Sequence, residues 1–459
     1  MPAFNFHQRR SGVLLHPTSL PSGKLDDAFR WLDFMADCGL EVWQVLPLGV
    51  PLGGLSPYQC MSAFAVNPEF IDPVAAPIDT DLQRLDFVRF CEQQGHWLDD
   101  YALFAVIKAQ HADSHWVDWP APLRRHEPMA LAEITRSNTA ELNVIKWQQF
   151  NLHLYWQKIR EYAAAKNVFL FGDMPIFVAH DSADVWACQD RFLLDDDGNP
   201  IQVTGVPPDY FAAEGQRWGN PHYDWDFMEQ EGFRWWLDRL RHHFEWFDLV
   251  RIDHFRGLEA SWMIYAEADT AVDGYWQQVP GDKLLSKLQQ EMQEIPLVAE
   301  DLGEITPEVT ALRDKFNLPG MSILQFSFDG FDDNPHKPKN IRSNTVVYTG
   351  THDNDTTLGW FMSQDQDMQQ HILDTLQIDD PTQVVEAMIQ TALQTPACLA
   401  VIPLQDFLGL DSSARMNTPG TIEGNWQWTF SWEQLDDREL SDNIRRWNQT
   451  ADRITGEAS

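Results

Sequence analysis

The sequence predicts an α/β fold in which eight parallel strands alternate with helices and close into a (β/α)8 TIM barrel, with inserted subdomains on the long βα loops. The first observation is a series of short apolar runs, each ended by a polar residue, a proline or a glycine. Apolar residues stand mostly at consecutive positions within the runs, which is typical of parallel strands covered on both faces. The second observation is that amphipathic stretches lie between several runs. The runs are residues 13–15, 41–46, 168–172, 249–252, 297–299, 321–325, 346–349 and 399–403.

The stretches between the runs carry helix signals. Residues 26–37 and 283–293 show helical spacing, and Thr306 followed by Pro307 indicates a helix start with proline in its first turn. Two further stretches each place large apolar residues on one helical face. These faces consist of Trp147, Phe150, Leu154 and Tyr162, and of Phe233, Trp236, Leu237, Leu240 and Phe244. Strands alternating with such helices indicate βαβ units.

The spacing of the runs is uneven, because the second, third and fourth runs lie much further apart than the others. We therefore predict a single barrel over residues 1–459, in which 60–166 and 174–246 contain inserted subdomain or loop segments that contribute to its cleft. Residues 48–57 and 204–226 are rich in glycine, proline and aromatic residues, and this composition predicts long loops.

The charge of the chain limits its partners. Lys plus Arg number 33 and Asp plus Glu number 69, so the formal net charge is −36. A surface this negative repels nucleic-acid phosphates and anionic lipids, so neither nucleic acid nor a membrane is an expected partner. The first residues lack the apolar core of a signal peptide. The five cysteines are far apart and show no zinc spacing, which indicates reduced thiols in the cytoplasm and no metal site.

Acidic residues follow three of the runs, at the strand ends where barrel enzymes carry their reacting groups. Asp253, Glu300 and Asp353 come close behind the fourth, fifth and seventh runs. A lone acid is most often a solvated or salt-bridged carboxylate. Three acids at one rim, without a Cys/His metal set, indicate either glycosidic-bond chemistry or a divalent cation held by carboxylates.

Cleavage of a glycosidic bond needs one carboxyl group to protonate the leaving oxygen and another to attack the anomeric carbon or activate water. Arg251 lies two residues before Asp253, so both side chains leave the same face of the strand. A guanidinium neighbour favours the ionised carboxylate, which suits Asp253 for a nucleophile. Glu300 must instead hold a proton near neutral pH, in a less charged niche or beside another carboxylate. The alternative for Arg251 and Asp253 is a buried structural ion pair.

The segments around these acids resemble those of a known family. They read Arg-Ile-Asp-His-Phe-Arg-Gly around Asp253, Ala-Glu-Asp-Leu-Gly around Glu300 and Gly-Thr-His-Asp-Asn-Asp-Thr around Asp353. The sequence resembles the amylomaltase family, the 4-alpha-glucanotransferases or disproportionating enzymes allied to the alpha-amylase clan. More segments resemble the family in order along nearly the whole chain. They are residues 16–21, 56–58, 172–177, 181–186, 206–211, 215–221 and 424–426.

The resemblance implies a catalytic barrel with a retaining mechanism and no cofactor. It implies that Asp253 is the nucleophile and Glu300 the general acid/base. It assigns to Asp353 the part of a third acid, which holds sugar hydroxyls as the ring flattens. The expected partners are α-1,4-glucans and glucose.

The resemblance also implies a set of substrate-binding residues around the three acids. Some contact the sugar at the cleavage site, some lie in a loop over the acceptor side, and two lie in family motifs with less defined roles. In this order they are Tyr58, Arg251 and His352; Asp209, Tyr210, Phe211, Gln216 and Trp218; and Asp181 and Asn425.

Three alternatives remain open at this point. A hydrolase of α-1,4-glucans from the same clan would share all three acids. A sugar-binding protein on an inactive barrel would need none of their chemistry, and a barrel hydrolase could use a metal held by carboxylates. A count of reducing ends separates transfer from hydrolysis, because transfer conserves their number.

Overall fold

The computed structural model of the protein describes residues 4–73, 81–208, 213–292 and 294–454. In these ranges the strands are β1 Arg10–Leu14, β2 Val42–Gln44, β3 Phe169–Pro175, β4 Gln202–Val206, β5 Gln216–Pro221, β6 Leu249–Asp253, β7 Ala260–Tyr265, β8 Gly274–Gln278, β9 Leu297–Ala299, β10 Gly320–Ile323, β11 Thr345–Tyr348 and β12 Leu399–Pro403. The α-helices are α1 Ala28–Cys38, α2 Asp81–Gln110, α3 Ala121–Arg124, α4 Pro128–Ser137, α5 Thr139–Ala165, α6 Ala183–Ala187, α7 Trp225–Gln230, α8 Arg234–Trp246, α9 Gly281–Glu291, α10 Pro307–Lys315, α11 Thr357–Ser363, α12 Gln366–Leu376, α13 Val384–Gln394, α14 Leu404–Phe407 and α15 Arg438–Thr450.

Eight of these strands form a parallel sheet in the order β10-β11-β12-β1-β2-β3-β6-β9. The two ends of this order meet, because the amide of Ala299, the last residue of β9, donates to the carbonyl of Pro319 before β10 at 2.8 Å. Each barrel strand overlaps one of the apolar runs, so the prediction of a (β/α)8 barrel is confirmed.

Alternation along each strand separates the inside of the barrel from its outside. Leu14, Phe171 and Tyr348 belong to a buried cluster that fills the barrel. Their neighbours on the strands, such as Val13 and Leu170, belong to the larger cluster that packs under the helices. The barrel strands are therefore largely apolar on both faces, which is why the runs show no alternation in the sequence.

The helices between the runs also agree with the predictions. α1 begins at Ala28 rather than at residue 26, because residues 25–27 form a 3₁₀ turn before it. α9 covers the predicted stretch 283–293 in large part, and α10 begins at Pro307 with proline in its first turn. None of the helices in the described part of the chain is long and apolar enough to cross a bilayer.

The long connections of the barrel carry structure of their own. α2 to α5 lie between β2 and β3, within the segment 60–166. β4 and β5 follow β3 and pair with β7 and β8 in a second, antiparallel sheet of order β5-β4-β7-β8. This second sheet therefore contains two strands that precede β6 in the sequence and two that follow it.

The segment 204–226 differs from the long loop that its composition predicts. β4 and β5 form an antiparallel hairpin within it, with Gly205 opposite Arg217. A Cβ atom added at Gly205 would lie 2.0 Å from the carbonyl oxygen of Gln216. The glycine therefore marks a close approach of two strands, which the sequence signal alone does not distinguish from a flexible turn.

Candidate active site

The three acids of the sequence analysis stand at the carboxyl end of the barrel. Asp253 is the last residue of β6, Glu300 directly follows β9, and Asp353 lies in the loop after β11. β6 and β9 are neighbouring strands. The amide of Phe255 donates to the carbonyl of Glu300 at 3.0 Å, so the segments that carry the first two acids are joined just beyond the strands.

Arg251 lies between two carboxylates. Its Nη1 donates to both carboxylate oxygens of Asp173 at 2.8 Å, and its Nη2 donates to Asp253 Oδ1 at 2.7 Å. The side chains of Arg251 and Asp173 are 5% and 0% exposed, whereas that of Asp253 is 32% exposed. Arg251 and Asp173 therefore form a buried ion pair, while Asp253, the second carboxylate bonded to Arg251, reaches the cleft.

Asp173 is a site residue for which the sequence analysis assigned no role. Burial raises the pKa of its carboxyl group, although the charge of Arg251 opposes this shift. Tyr58 donates its hydroxyl proton to Asp173 Oδ2 at 2.8 Å. One signal in the sequence could have identified Asp173. It lies two residues after Phe171 of the third run, so its side chain points into the barrel near the rim.

Glu300 has the electrostatic property that a general acid needs. Burial, together with the negative charge of Asp253, raises its pKa to about 8, although Arg251 and two backbone amides favour the ionised form. The amides of His254 and Leu302 donate to its two oxygens at 2.7 and 3.0 Å. The carboxyl group is thus held in place and keeps its proton at neutral pH.

An aromatic surface lies beside the carboxylates. The rings of Tyr58 and His352 stack with centroids 5.3 Å apart and planes 15° apart. Trp426 lies 6.2 Å from Tyr58 and 5.9 Å from His352. Sugar rings pack against aromatic faces of this kind. The sequence predicts no role for Trp426, although this residue lies in the segment 424–426 that resembles the family.

Asp353 is held by loops rather than by strands. Its side chain is 48% exposed, and its Oδ2 lies 3.5 Å from His352 Nε2. Asn417 donates its amide to Asp353 Oδ1 at 2.7 Å, and Arg415 donates to the Asp353 carbonyl at 2.8 Å. Asn417 and Arg415 were not found by the sequence analysis, because they lie far along the chain in a loop without a strand signal.

Asn425 shapes the loop that brings Asn417 and Trp426 to the site. Its buried side chain accepts a hydrogen bond from the amide of Thr418 at 2.9 Å and donates to the carbonyl of Thr421 at 3.0 Å. These contacts are internal to the loop. They indicate that Asn425 stabilises the fold of this loop. Its predicted contact with sugar stays a prediction.

The β4–β5 hairpin reaches the site through Trp218. The indole ring packs edge-on against His254, with centroids 4.8 Å apart, and its Nε1 donates to Gln216 Oε1 at 3.1 Å. Gln216 and Trp218 thus lie next to the segment that follows the predicted nucleophile. The other predicted members of this loop, Asp209, Tyr210 and Phe211, lie outside the described residues.

Asp181 is engaged in contacts away from these groups. Its carboxylate pairs with Lys108 of α2 at 2.5 Å and accepts a hydrogen bond from the amide of Trp116 at 3.3 Å. These contacts tie the segment after β3 to α2. A substrate contact of Asp181 stays a prediction.

A barrel whose rim combines an arginine-paired carboxylate, a second carboxyl group with a pKa raised to about 8 and an aromatic surface belongs to the class of enzymes that act on glycosidic bonds. The fold alone would not decide this, because the same barrel carries many chemistries.

Comparison with known proteins narrows the class. A family model described as 4-alpha-glucanotransferase matches residues 14–85 and 75–435, and the chain belongs to that family. Proteins named 4-alpha-glucanotransferase from Synechocystis sp. and Thermus thermophilus are 42% and 44% identical to it, over 94% and 92% of this chain and 95% and 94% of theirs. The solved structure of an amylomaltase from Streptococcus agalactiae in complex with acarbose has a TM-score of 0.93 and 30% identity, over 97% of this chain and 100% of that one. The resemblance drawn from the motifs is confirmed.

Proposed function

We propose that the protein is a 4-alpha-glucanotransferase that moves a segment of an α-1,4-glucan to glucose or to another α-1,4-glucan by a retaining double displacement. The observation that carries the proposal is the pairing of two unlike carboxyl groups at one rim. Asp253 is ion-paired with Arg251, while Glu300 is half-buried beside it and has a pKa raised to about 8. Retaining glycosidases need one ionised and one protonated carboxyl group.

In the first step Asp253 attacks the anomeric carbon and Glu300 gives its proton to the leaving glycosidic oxygen. The bond from Arg251 to Asp253 Oδ1, 2.7 Å long, fixes the orientation of the carboxylate. The products of this step are a glucosyl ester of Asp253, a released glucan end and an ionised Glu300.

In the second step Glu300 takes the proton of the incoming 4-hydroxyl, which attacks the ester and frees Asp253. The charge of Asp253 is one of the causes that raise the pKa of Glu300. Formation of the ester removes that charge, so the pKa of Glu300 falls when it has to act as a base. Two inversions leave the α linkage unchanged.

The remaining residues would hold the sugars. Tyr58 and His352 provide the aromatic surface, and Asp353 would accept hydrogen bonds from sugar hydroxyls. Trp218 and its neighbours on the hairpin would cover the acceptor side, together with the segment 209–211. We assign the segments 60–166 and 174–246 as insertions that complete the cleft.

A covered site is what favours transfer over hydrolysis, because an acceptor sugar must react before water does. The rival function is an α-1,4-glucan hydrolase with the same acids. Incubation with maltotriose tests the proposal: transfer yields glucose and a ladder of longer glucans at a constant number of reducing ends. A rise in reducing ends without longer products would identify a hydrolase.

The proposed setting is starch or glycogen metabolism in the cytoplasm. All five cysteines are free thiols in the structure, which suits a reducing compartment. Fractionation of cells and detection of the protein in the cytoplasmic fraction would test the location.

A further inference from the structure

A buried carboxylate that the proposed reaction does not use lies beneath the site. Asp406 stands in α14, just after β12, and is 2% exposed. Its Oδ2 accepts hydrogen bonds from the hydroxyls of Thr349 at 2.6 Å and Thr357 at 2.7 Å. Its Oδ1 accepts a third bond, from the amide of Thr357 at 2.7 Å. Three short bonds to one carboxylate are typical of charge-assisted hydrogen bonding.

The two threonines stand at opposite ends of one loop. Thr349 directly follows β11, and Thr357 is the first residue of α11. Both are fully buried. The segment 350–356 between them carries His352 and Asp353, the two polar residues proposed to hold the sugar. One carboxylate on a neighbouring strand end therefore fastens both ends of this loop.

Other contacts fasten the rest of the loop, and two of them involve neutral amide side chains. The amide of Gln325 donates to the carbonyl of Asp355 at 2.9 Å, and Asn354 accepts from the amide of Thr351 at 2.9 Å. Asp406 differs from these groups because it is a charge in an apolar place. Burial raises the pKa of Asp406, while the donors from both threonines oppose this shift.

A buried carboxylate is costly unless its hydrogen bonds are well formed. Part of the stabilisation is local, because the amide of Thr357 is one of the donors at the start of α11 that have no partner within the helix. A helix cap by itself does not require the bond to Thr349, which lies before the loop. The bond across the loop points to a second role, the control of the loop's shape.

We propose that Asp406 is a positioning residue that sets the geometry of the sugar-binding loop 350–356, and that it acts on the reaction through Asp353. This inference rests on the proposed function, since it takes Asp353 as a group that holds the substrate. A mutation away from the chemistry that displaces a substrate-positioning group by about 1 Å can lower the rate by about 10²-fold.

The test is a double-mutant cycle of D406A and N417A, with kcat and KM for maltotriose measured in all four proteins. Asn417 donates a hydrogen bond to the Asp353 carboxylate. If Asp406 positions Asp353, D406A lowers kcat/KM about tenfold, and N417A then loses most of its own effect in the D406A background. Losses that simply multiply, or a D406A enzyme with unchanged kcat/KM, overturn the inference.

Two further variants keep the test informative if D406A folds poorly. D406N keeps an oxygen for the amide of Thr357, and its amide group can donate to hydroxyls that turn to accept. It should recover most of the activity of the parent. T349V removes only the bond across the loop and should lower kcat/KM with little change in melting temperature. Full activity in T349V, with its melting temperature lowered instead, would reduce Asp406 to a structural cap.

The matched control is D411A. Asp411 is exposed and bonds to Ser413 within its own turn, so its removal should leave kcat and KM unchanged. Failure of the proposed function is distinguishable, because the unmutated enzyme would then give no transfer products. A transferring parent with an additive cycle contradicts the role of Asp406 alone.

Discussion

Two groups of side chains converge on the cleft, and they are built differently. The strand cluster consists of Asp173, Arg251 and Asp253, and the loop cluster of His352, Asp353 and Asn417. In the strand cluster Asp173 and Arg251 are register partners on β3 and β6 and are almost fully buried. In the loop cluster Asp353 is half exposed, and its neighbours come from two loops far apart in the chain.

Because they are built differently, the two clusters can control different properties of the site. Neighbouring strands fix side chains at a set spacing, so the strand cluster can keep charges in an apolar place and set the protonation of the reacting acids. The loop cluster leaves the Asp353 side chain 48% exposed, although the His352 side chain beside it is buried. We therefore expect changes in the strand cluster to alter the chemistry and the pH profile, and changes in the loop cluster to alter how well the sugar is held.

The largest effect should come from the reacting carboxyl groups themselves. D253N removes the nucleophile, and E300Q removes the proton that the leaving oxygen needs. Each should lower kcat for maltotriose by at least about 10³-fold, because the two groups act as a unit. Circular dichroism spectra should stay those of the unmutated enzyme. Near-normal turnover in either variant would contradict the assigned roles.

A smaller effect is expected from a change at Asp173, the most buried residue of the strand cluster. D173N keeps the shape of the side chain but removes a negative charge from Arg251, so the unopposed guanidinium should lower the pKa of Glu300. We expect kcat/KM to fall by about 10–100-fold, the effect of weakening a hydrogen bond between charged groups. The alkaline limb of the pH profile should also move to lower pH.

The control for D173N is Y58F, which removes the hydroxyl bonded to Asp173 and keeps both charges. Its pH profile should keep the position of the parent's alkaline limb. An unshifted limb in D173N would show that the strand cluster does not control the protonation of Glu300.

The loop cluster should respond more mildly. N417A removes one hydrogen bond to a half-exposed carboxylate, worth about 1 kcal/mol, so kcat/KM should fall about fivefold. The pH profile should not move, because Asn417 carries no charge. A shift of the profile in N417A would erase the distinction between the two clusters.

The smallest effect is on stability and concerns Glu300. The folded protein keeps this proton up to about pH 8, whereas an unfolded glutamate releases it near its ordinary pKa, so rising pH favours the unfolded state between those values. E300Q lacks this titration. Its melting temperature, compared with that of the parent, should therefore improve from pH 5 to pH 8, by about 1 °C for each kcal/mol involved in a chain of 459 residues. An equal difference at both pH values would contradict the raised pKa.

The sequence predicted the barrel well because its signal is local. Each barrel strand is a short apolar run, and each acid of the reaction follows such a run directly or within a few residues. The hairpin of β4 and β5 was missed, because glycines and prolines indicate a turn equally well in a loop and in two strands that approach closely. Asp173 lies near the end of a barrel strand and in the segment 172–177 that resembles the family, but neither signal shows that it pairs with Arg251.

The sequence by itself determined the eight strands, the three acids at their ends and the family whose segments they resemble, since all of these are set by neighbours along the chain. Only the tertiary structure decided that Asp173 stands in register with Arg251, that Asn417 reaches Asp353 across 64 positions, and that Asp406 closes the loop between two threonines. Burial and charge at a site depend on residues that are distant in sequence, and their meeting is fixed by the closure of the barrel.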